Sequence, residues 1–449
     1  MKLIKKAGLT IATVSLGLSV LSGCSDSAGS DSGKKVITVA YPNWWQKWLQ
    51  DLEKDYEKEN PKVDIKLQPL TANEGGISSK MAMMMKSKKT APDVVLEDTF
   101  MIDADAKAGY LEPLDQKLQK WGDWDKFVDT TKKGITASDG KMYGVPFSTD
   151  VQGLWYNKKL LKKAGVTLPY EPKDWQEVMK TAQAVKKSSS NVIPLFLYAS
   201  KATGESTSMR TFQVLHSGTG AELYDYDSKK WTVNQKAVED SLGFVQQVFD
   251  KKLGESMSQA ADGQAAQTLA NGLMPDDKVA MVMDGNWVTA SWREGGSKPW
   301  PKALDTWAFT AFPTQKGQDP KTTSMSGGWA MSVPKNSDEK DLAWKFIQMS
   351  TDKEHQLNYT KQTGDMTVRS DVQQEKDYLN QPLGVYKEAG EMLKKTNFRP
   401  AVDGYPSVST LIQETVESVA SGKKTPKQAT ADYINGLKRL VKEKNIEVQ

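Results

Sequence analysis

The strongest constraint on the fold is a regular alternation between short β-branched runs and amphipathic helical patterns. Residues 36–41 are rich in β-branched side chains and end at Pro42, which is typical of a strand. A helical stripe with the spacing i, i+3, i+4, i+7, i+11 follows, formed by Trp45, Trp48, Leu49, Leu52 and Tyr56. Residues 63–67 alternate as a second strand, a Met-rich helical stripe begins at Ile77, and residues 93–97 form a third strand. This order predicts an α/β unit with a largely parallel sheet.

Ligands of such sheets bind beyond the carboxyl ends of the strands, so the segments that follow the strands are the first candidates for a site. These segments are residues 42–45, 71–76 and 98–101.

The chain has 449 residues, which is long enough for two or three domains. Its middle third continues with extended or apolar runs at 143–149 and 279–283.

Charge and cysteine content exclude several kinds of site. The chain carries 60 Lys and Arg against 56 Asp and Glu, and three of the lysines, Lys2, Lys5 and Lys6, lie at the N-terminus. The near-neutral remainder gives no electrostatic basis for binding nucleic acid. One cysteine excludes an internal disulfide, and together with His216 and His355 it cannot form a Cys/His zinc site. We therefore expect no metal, no cofactor and no nucleic-acid partner.

The N-terminus has the pattern of an export signal. A basic segment precedes an apolar run from Ala7 to Val20, which is too short to span a bilayer but suits a signal peptide. Leu-Ser-Gly-Cys at residues 21–24 then resembles the lipobox of bacterial lipoproteins. We predict a signal peptide at 1–23, lipidation of Cys24 and a flexible Gly/Ser/Asp-rich tether at 24–33. The alternative is an ordinary secretory signal followed by an incidental cysteine.

Catalytic signatures are absent from the sequence. There is no G-x-S-x-G or H-E-x-x-H motif, and Glu417 stands where a phosphate-binding loop ending in Ser421-Gly422-Lys423 would need its first glycine. Glu97 and Asp98 are adjacent carboxylates, but neighbours in a strand point to opposite faces of the sheet. The sequence therefore favours a protein that is not an enzyme.

Aromatic residues are the most informative part of the composition, with 14 Trp, 14 Tyr and 11 Phe. Sugars present apolar C–H faces and rings of hydroxyls, and their receptors stack indole rings on the faces while polar groups bind the hydroxyls. Several tryptophans lie beside Gly, Asn or Asp at predicted strand ends. This placement favours a carbohydrate ligand.

Four motifs carry a family resemblance. Residues 143–146 (YGVP), followed by residues 154–165, resemble the central signature of bacterial extracellular solute-binding proteins of family 1, the maltose-binding-protein-like receptors of ABC importers. Residues 92–95, 279–287 and 327–334 match three other motifs in the family's order. The likeness covers about residues 36–445.

The resemblance implies a two-lobed, type II periplasmic-binding-protein-like α/β fold, in which each lobe is a mixed, largely parallel sheet flanked by helices. By position, the N-terminal lobe comprises residues 34–146 plus 312–350, and the C-terminal lobe comprises 147–311 plus 351–449. A hinge that the chain crosses more than once joins the two lobes.

The resemblance also implies a function. A lipid-anchored monomer on the extracytoplasmic face of the bacterial membrane captures a sugar or oligosaccharide by hinge closure. It then delivers the ligand to ABC permease subunits that work with a separate ATPase. The alternatives are a lipid-anchored glycan-degrading enzyme, a surface lectin, or the same receptor type for a non-sugar solute such as a polyamine or peptide.

The family's ligand-binding positions correspond to seven residues of this chain: Trp44, Asp98, Asp150, Trp287, Trp329, Arg369 and Tyr405. Core packing is the alternative role for the aromatic residues. A helix N-cap or a solvated loop is the alternative for the two acids, and an ordinary surface position is the alternative for Arg369. The family usually has a proline where Thr367 stands, so the loop before Arg369 departs from its pattern.

Cys24→Ala tests the lipoprotein prediction. We expect the variant to fold and bind ligand normally but to be released from membranes, because stable anchoring requires the acyl chains that the thiol would carry. Fractionation of cells after a high-salt wash measures this release. A variant that stays with the membrane pellet contradicts the prediction.

Overall fold

A computed structural model describes residues 33–72 and 74–448 of the chain. The predicted signal peptide, Cys24 and the tether up to residue 32 lie outside the described residues. Within the described ranges, no helix has the length and apolar character needed to cross a membrane.

The strands alternate with helices along most of the described chain. The strands are β1 (Lys35–Pro42), β2 (Val63–Leu70), β3 (Val94–Asp98), β4 (Val145–Thr149), β5 (Gln152–Asn157), β6 (Ile193–Phe196), β7 (Tyr224–Asp225), β8 (Lys230–Val233), β9 (Val279–Gly285), β10 (Trp307–Thr310), β11 (Phe312–Pro313), β12 (Thr322–Thr323), β13 (Met325–Ser326), β14 (Gly328–Ser332), β15 (Asn397–Phe398) and β16 (Ile446–Val448). The helices are α1 (Gln46–Glu59), α2 (Glu74–Met85), α3 (Ile102–Lys107), α4 (Asp115–Gln119), α5 (Asp129–Gly134), α6 (Lys158–Lys163), α7 (Trp175–Ser188), α8 (Val214–Gly218), α9 (Gln235–Asp250), α10 (Met257–Ala260), α11 (Ala265–Thr268), α12 (Ala303–Thr306), α13 (Lys340–Ser350), α14 (Lys353–Thr363), α15 (Ser370–Gln373), α16 (Lys376–Leu379), α17 (Tyr386–Leu393), α18 (Tyr405–Ala420) and α19 (Pro426–Val441).

The first lobe is built on a five-stranded sheet in the order β2-β1-β3-β14-β4. Strands β1, β2 and β3 run parallel, and β14 pairs antiparallel with both β3 and β4. The apolar stripe of α1 packs on this sheet, with Trp48, Leu49, Leu52 and Tyr56 buried. The alternation read from the sequence is therefore confirmed, and the parallel strands place several carboxyl ends at one edge.

The second lobe is built on a four-stranded sheet in the order β10-β5-β9-β6. Its central strand, β9, is buried along its whole length, runs parallel to β6 and pairs antiparallel with β5. Helices α7, α9 and α18 supply much of the core beside it. The mixed α/β fold with two lobes is that expected for type II binding proteins.

The chain passes between the lobes at several closely spaced positions. It leaves β4 at Thr149 and enters β5 at Gln152, and it returns between β13 and β14 near Gly327. A later segment passes beside the first one, where the N–H of Thr149 donates to the carbonyl of Met366 (3.2 Å) and the N–H of Met366 donates to the carbonyl of Thr149 (3.0 Å). These extended passages form the hinge.

The lobe boundaries differ from the expected ones at 312 and 350. Phe312 is fully buried in the core of the second lobe, and the β11–β12 pair packs against α8 of that lobe, so the return to the first sheet begins at Gly328. Tyr359 and Val368 pack in the core of the first lobe, which therefore extends past residue 350. Only Asp150 and Val151 separate β4 from β5, and only Gly327 separates β13 from β14. Connections this short are not visible in the sequence as linkers.

Glu255 of the second lobe is buried without a basic partner. Its side chain is 3% exposed, and its Oε2 accepts one hydrogen bond, from the N–H of Leu197 at 3.3 Å. Its Oε1 has no hydrogen-bond partner among the described residues. Burial disfavours the charged carboxylate and raises the pKa of Glu255 to about 8.

Glu255→Gln tests this buried acid. The folded state holds the proton more tightly than the unfolded chain, so the free energy of unfolding should fall as pH rises from about 4.5 to about 8. In the variant, the free energy of unfolding should no longer depend on pH in this way, and near neutral pH it should be higher than that of the wild type by on the order of 3 kcal/mol. Urea unfolding across this pH range measures both effects, with the exposed Glu222→Gln as the control. An unchanged slope in Glu255→Gln contradicts the assignment.

Candidate functional site

A cavity of about 520 Å³ lies between the two lobes, at the carboxyl ends of β1, β3 and β9. Five of the seven expected residues line it: Trp44, Asp98, Asp150, Trp287 and Trp329. They come from both lobes and from the hinge. Arg369 and Tyr405 lie outside its lining.

The first lobe contributes a wall of tryptophans. After β1 ends at Pro42, residues Asn43–Trp45 form a 3₁₀ turn that separates two adjacent rings. Trp44 is 46% exposed on the cavity side, whereas Trp45 is 4% exposed and packs edge-on to Phe147. Trp329 joins them through edge-to-face contacts, with ring centroids 5.9 Å from Trp44 and 4.8 Å from Trp45. The wall is a packed unit that lines the cavity, and Trp44 is its most exposed ring.

Trp287 stands on the second lobe, directly after β9. The neighbouring Asn286 is fully buried and anchors the turn, since its Oδ1 accepts from the N–H of Val151 (2.9 Å) and its Nδ2 donates to the carbonyl of Gly364 (2.9 Å). A Cβ on Gly285 would lie 2.1 Å from Cζ3 of Trp287, so only glycine allows the indole to fold back over this position. The sequence motif therefore fixes the orientation of the ring.

Arg210 packs against the ring of Trp287 and is also in contact with Tyr198 and Asp284. Its guanidinium carbon is 4.8 Å from the centroid of Trp287 and 4.9 Å from that of Tyr198. Its Nη1 lies 3.2 Å from Oδ1 of Asp284, whose Oδ2 accepts from the hydroxyl of Tyr198 at 2.7 Å. The π-helical segment Ser206–Gln213 carries Arg210, and such segments are frequent at functional sites.

The floor of the cavity is an ion pair that crosses between the lobes. Arg399 of the second lobe donates to both carboxylate oxygens of Asp98 on β3, one of them at 3.1 Å. Its Nη1 also lies 3.6 Å from Oε1 of Glu205. Burial lowers the pKa of Arg399, but these two acids outweigh it and raise the pKa, so the guanidinium stays charged. A Cβ on Gly327 would lie 2.5 Å from Nη2 of Arg399, so a glycine is needed there.

Tyr405 supports the floor from behind and does not face the cavity. Its side chain is fully buried, its hydroxyl donates to Oε1 of Glu205, and it accepts from Nε2 of Gln213 at 2.7 Å. The expectation of a ligand-stacking ring at this position is therefore corrected. Tyr405 begins α18, and the hydrogen bonds of its hydroxyl hold the Glu205 carboxylate.

Arg369 also lies outside the cavity, and it is not a surface residue either. Its side chain is 2% exposed, its Nη1 donates to Asp123 at 2.8 Å, and its Nη2 donates to Asp371 at 2.9 Å. The carbonyl of Thr351 accepts a further bond from Nη1 at 3.2 Å. The expected ligand contact is corrected to a structural one, because these acceptors already satisfy the guanidinium.

Asp150 and Asp365 lie where two chain passages run side by side in the hinge. Asp150 is 8% exposed, and its Oδ1 accepts from the N–H of Gly327 at 3.0 Å. Burial raises the pKa of Asp150, while the positive charges of Arg399 and Arg210 act in the opposite direction. Burial raises the pKa of Asp365 to about 7, with a further contribution from the negative charge of Asp150. Across the described residues, no cluster of three or more His, Cys, Asp or Glu is arranged to hold a metal ion.

Sequence reasoning missed several residues that line this cavity, namely Tyr198, Glu205, Arg210, Asp284, Asp365 and Arg399. Asp284 had a usable signal, because it belongs to the same Asp-Gly-Asn-Trp motif as Trp287. The others follow short or irregular elements far apart in the chain, and no local spacing links them. Only the folding of both lobes brings them to one place.

Comparison with known proteins identifies the family of the chain. Residues 40–357 match the family described as bacterial extracellular solute-binding protein. A maltodextrin-binding protein of Bacillus subtilis is 24% identical over 470 aligned residues and is covered over 100% of both chains. A maltooligosaccharide ABC transporter solute-binding lipoprotein of Streptococcus pneumoniae is 22% identical, with 98% of each chain covered.

The same fold is found among solved structures. The GacH receptor of Streptomyces glaucescens matches with a TM-score of 0.77, covering 91% of this chain and 99% of the receptor at 23% identity. The family match spans well over half of the chain and includes strands of both lobes. The chain therefore belongs to the bacterial extracellular solute-binding protein family.

Proposed function

We propose that this protein captures a sugar or oligosaccharide outside the cytoplasmic membrane and delivers it to an ABC permease. The observation that carries the proposal is that tryptophans of both lobes line one cavity. Trp44 and Trp329 stand on the first lobe and Trp287 on the second. Indole rings bind the apolar faces of sugars, and charged groups on the floor bind their hydroxyls.

The names of the two relatives support the choice of ligand class. One is described as binding maltodextrin and the other as belonging to a maltooligosaccharide transporter. Short glucose oligomers are therefore the first ligands to test. The cavity volume of about 520 Å³ lies within the usual range of about 300–1,000 Å³ for small-molecule sites.

Hinge closure is the mechanism that this geometry supports. A ligand that contacts Trp329 and Trp287 together binds the closed arrangement better than an open one, so binding shifts the equilibrium toward closure. The chain passages near Thr149 and Gly327 link the two lobes, and a rotation of the lobes would take place about them. The closed, liganded monomer then docks on permease subunits that are driven by a separate ATPase.

Lipidation at Cys24 would keep the receptor at the extracytoplasmic face of the membrane. The lipobox-like sequence at residues 21–24 and the description of the Streptococcus pneumoniae relative as a lipoprotein support this anchor. The Gly/Ser/Asp-rich tether at 24–33 would let the two lobes stand off the membrane and reach the permease.

The enzyme alternative would need a pair of carboxyls for acid–base catalysis, and Glu97 and Asp98 are adjacent in the sequence. Glu97 points away from Asp98 and is 2% exposed, and burial together with Asp105 raises the pKa of Glu97. Both oxygens of Asp98 accept hydrogen bonds from Arg399. These two carboxyls therefore do not form the acid–base pair that glycoside hydrolysis requires.

Trp287→Ala tests the binding site. Loss of a central stacking ring should cost over about 2 kcal/mol of binding, or more than about thirtyfold in Kd for maltotriose. Stability should change little, because Trp287 is only partly buried. Calorimetric titration and thermal melting measure the two quantities.

Trp292→Ala is the matched control on the same 3₁₀ segment. Its ring is fully buried and its Nε1 donates to the carbonyl of Ala270 at 2.8 Å, so truncation should cost about 3–5 kcal/mol of stability. The folded fraction of this control should bind normally. If Trp287→Ala behaves like the control, Trp287 belongs to the core and is not a ligand contact.

Small-angle scattering tests the closure. The radius of gyration should decrease when a bound sugar saturates the wild-type protein, because closure brings the lobes together. In Trp287→Ala the decrease should require higher sugar concentrations. An unchanged radius at saturation would indicate a rigid lectin.

A further inference from the structure

The buried floor of the cavity holds more acids than bases. Asp98, Asp150, Glu205 and Asp284 are each at most 8% exposed, and the two buried cations beside them are Arg210 and Arg399. A buried charge is costly unless it is paired and hydrogen-bonded. The described residues therefore leave a surplus of negative charge at the place where a ligand would sit.

Three of the four buried acids are satisfied by the protein itself. Asp98 accepts both bonds from Arg399, and Asp284 accepts from the hydroxyl of Tyr198 and lies against Arg210. Glu205 accepts from three hydroxyl groups, those of Tyr405, Ser208 (3.1 Å) and Ser409 (2.5 Å). These carboxylates need no further partner.

Asp150 is the exception. Its Oδ1 accepts from the N–H of Gly327, and the amide of Gln152 lies at the limit of hydrogen bonding, 3.5 Å away. Its Oδ2 has no hydrogen-bond donor among the described residues, although the side chain is more than nine-tenths buried and lines the cavity. Because the cavity is the space beside it, a ligand group is the partner that this oxygen lacks.

A second carboxyl lies opposite Asp150. The antiparallel bridge between Thr149 and Met366 sets the residue after Thr149 across from the residue before Met366, and that residue is Asp365. Asp365 also lines the cavity, and one of its oxygens accepts from the hydroxyl of Tyr359. The negative charge of Asp150 helps to raise the pKa of Asp365, so the two carboxyls are near enough to interact, and a cation between them would relieve the repulsion.

We propose that the ligand carries a cationic amino group that binds between Asp150 and Asp365, which makes the protein a receptor for amino-substituted oligosaccharides. This inference rests on the sugar-receptor function proposed above. An ammonium group supplies a positive charge and three N–H donors, whereas a sugar hydroxyl supplies one donor and no charge. A uronate or a sugar phosphate would add negative charge to a cavity floor where the buried acids already outnumber the buried cations.

Matched pairs of sugars test the proposal by calorimetric titration near neutral pH. One pair is maltotriose and its amino-deoxy derivative, in which an amine replaces the primary hydroxyl of the terminal unit. The other pair is cellotriose and the glucosamine trimer. The aminated member of at least one pair should bind on the order of tenfold more tightly, because charge-assisted hydrogen bonds are about twice as strong as neutral ones. The preference should shrink at high salt.

Two variants test whether Asp150 and Asp365 cause the preference for the aminated sugar. Asp150→Asn and Asp365→Asn should each reduce the preference toward unity, and thermal melting without sugar shows that each variant is folded. If Asp150→Asn does not fold, Asp365→Asn alone decides the location. Asp338→Asn is the control, since Asp338 is exposed and pairs with Lys88 on the surface of the first lobe.

The outcomes separate this inference from the general function. If neutral sugars bind as tightly as their aminated partners, the amine proposal is overturned and the sugar-receptor function stands. If no member of either pair binds, the amine proposal is overturned as well. Spermidine that binds as tightly as the aminated sugars would also overturn it, because the recognised group would then be a polyamine.

Discussion

The buried ion pair between Asp98 and Arg399 is the interaction on which the rest of the site depends. Asp98 ends β3 of the first lobe, and Arg399 follows β15 of the second, so the pair joins the lobes at the floor of the cavity. Glu205, held by Tyr405 and two serines, shares the same guanidinium. A buried pair is costly to break, because removing one partner leaves the other charge buried and uncompensated. This constraint sets where the lobes meet.

One wall and the floor of the cavity depend on close approaches that only glycine permits. Gly285 leaves space for the folded-back ring of Trp287, and Gly327 leaves space for Arg399. Both glycines lie in motifs that also contain the tryptophans of the walls, Trp287 and Trp329. These motifs therefore determine local shape as well as ligand contacts. In each motif a glycine leaves the space that a nearby side chain occupies, Trp287 in one and Arg399 in the other.

Two carboxyl groups, those of Asp150 and Asp365, lie in the hinge. Asp150 and Asp365 flank the bridge between Thr149 and Met366, and both line the cavity. Rotation about the hinge would change the surroundings of both carboxyls. Ligand binding, charge compensation and closure are thus coupled at one place in the proposed receptor.

The sequence by itself determined the strand and helix order of the first lobe, the burial of the α1 stripe and the motifs that contain Trp287 and Trp329. These features depend on periodicity and on residues that are neighbours in the chain. Only the tertiary structure decided that Arg210 and Arg399 line the cavity, whereas Arg369 and Tyr405 do not. Each of these side chains has a partner far away in the chain, such as Asp98 for Arg399, Asp123 for Arg369 and Glu205 for Tyr405. The spacing of residues along one chain does not specify such partners, because folding of both lobes brings them together.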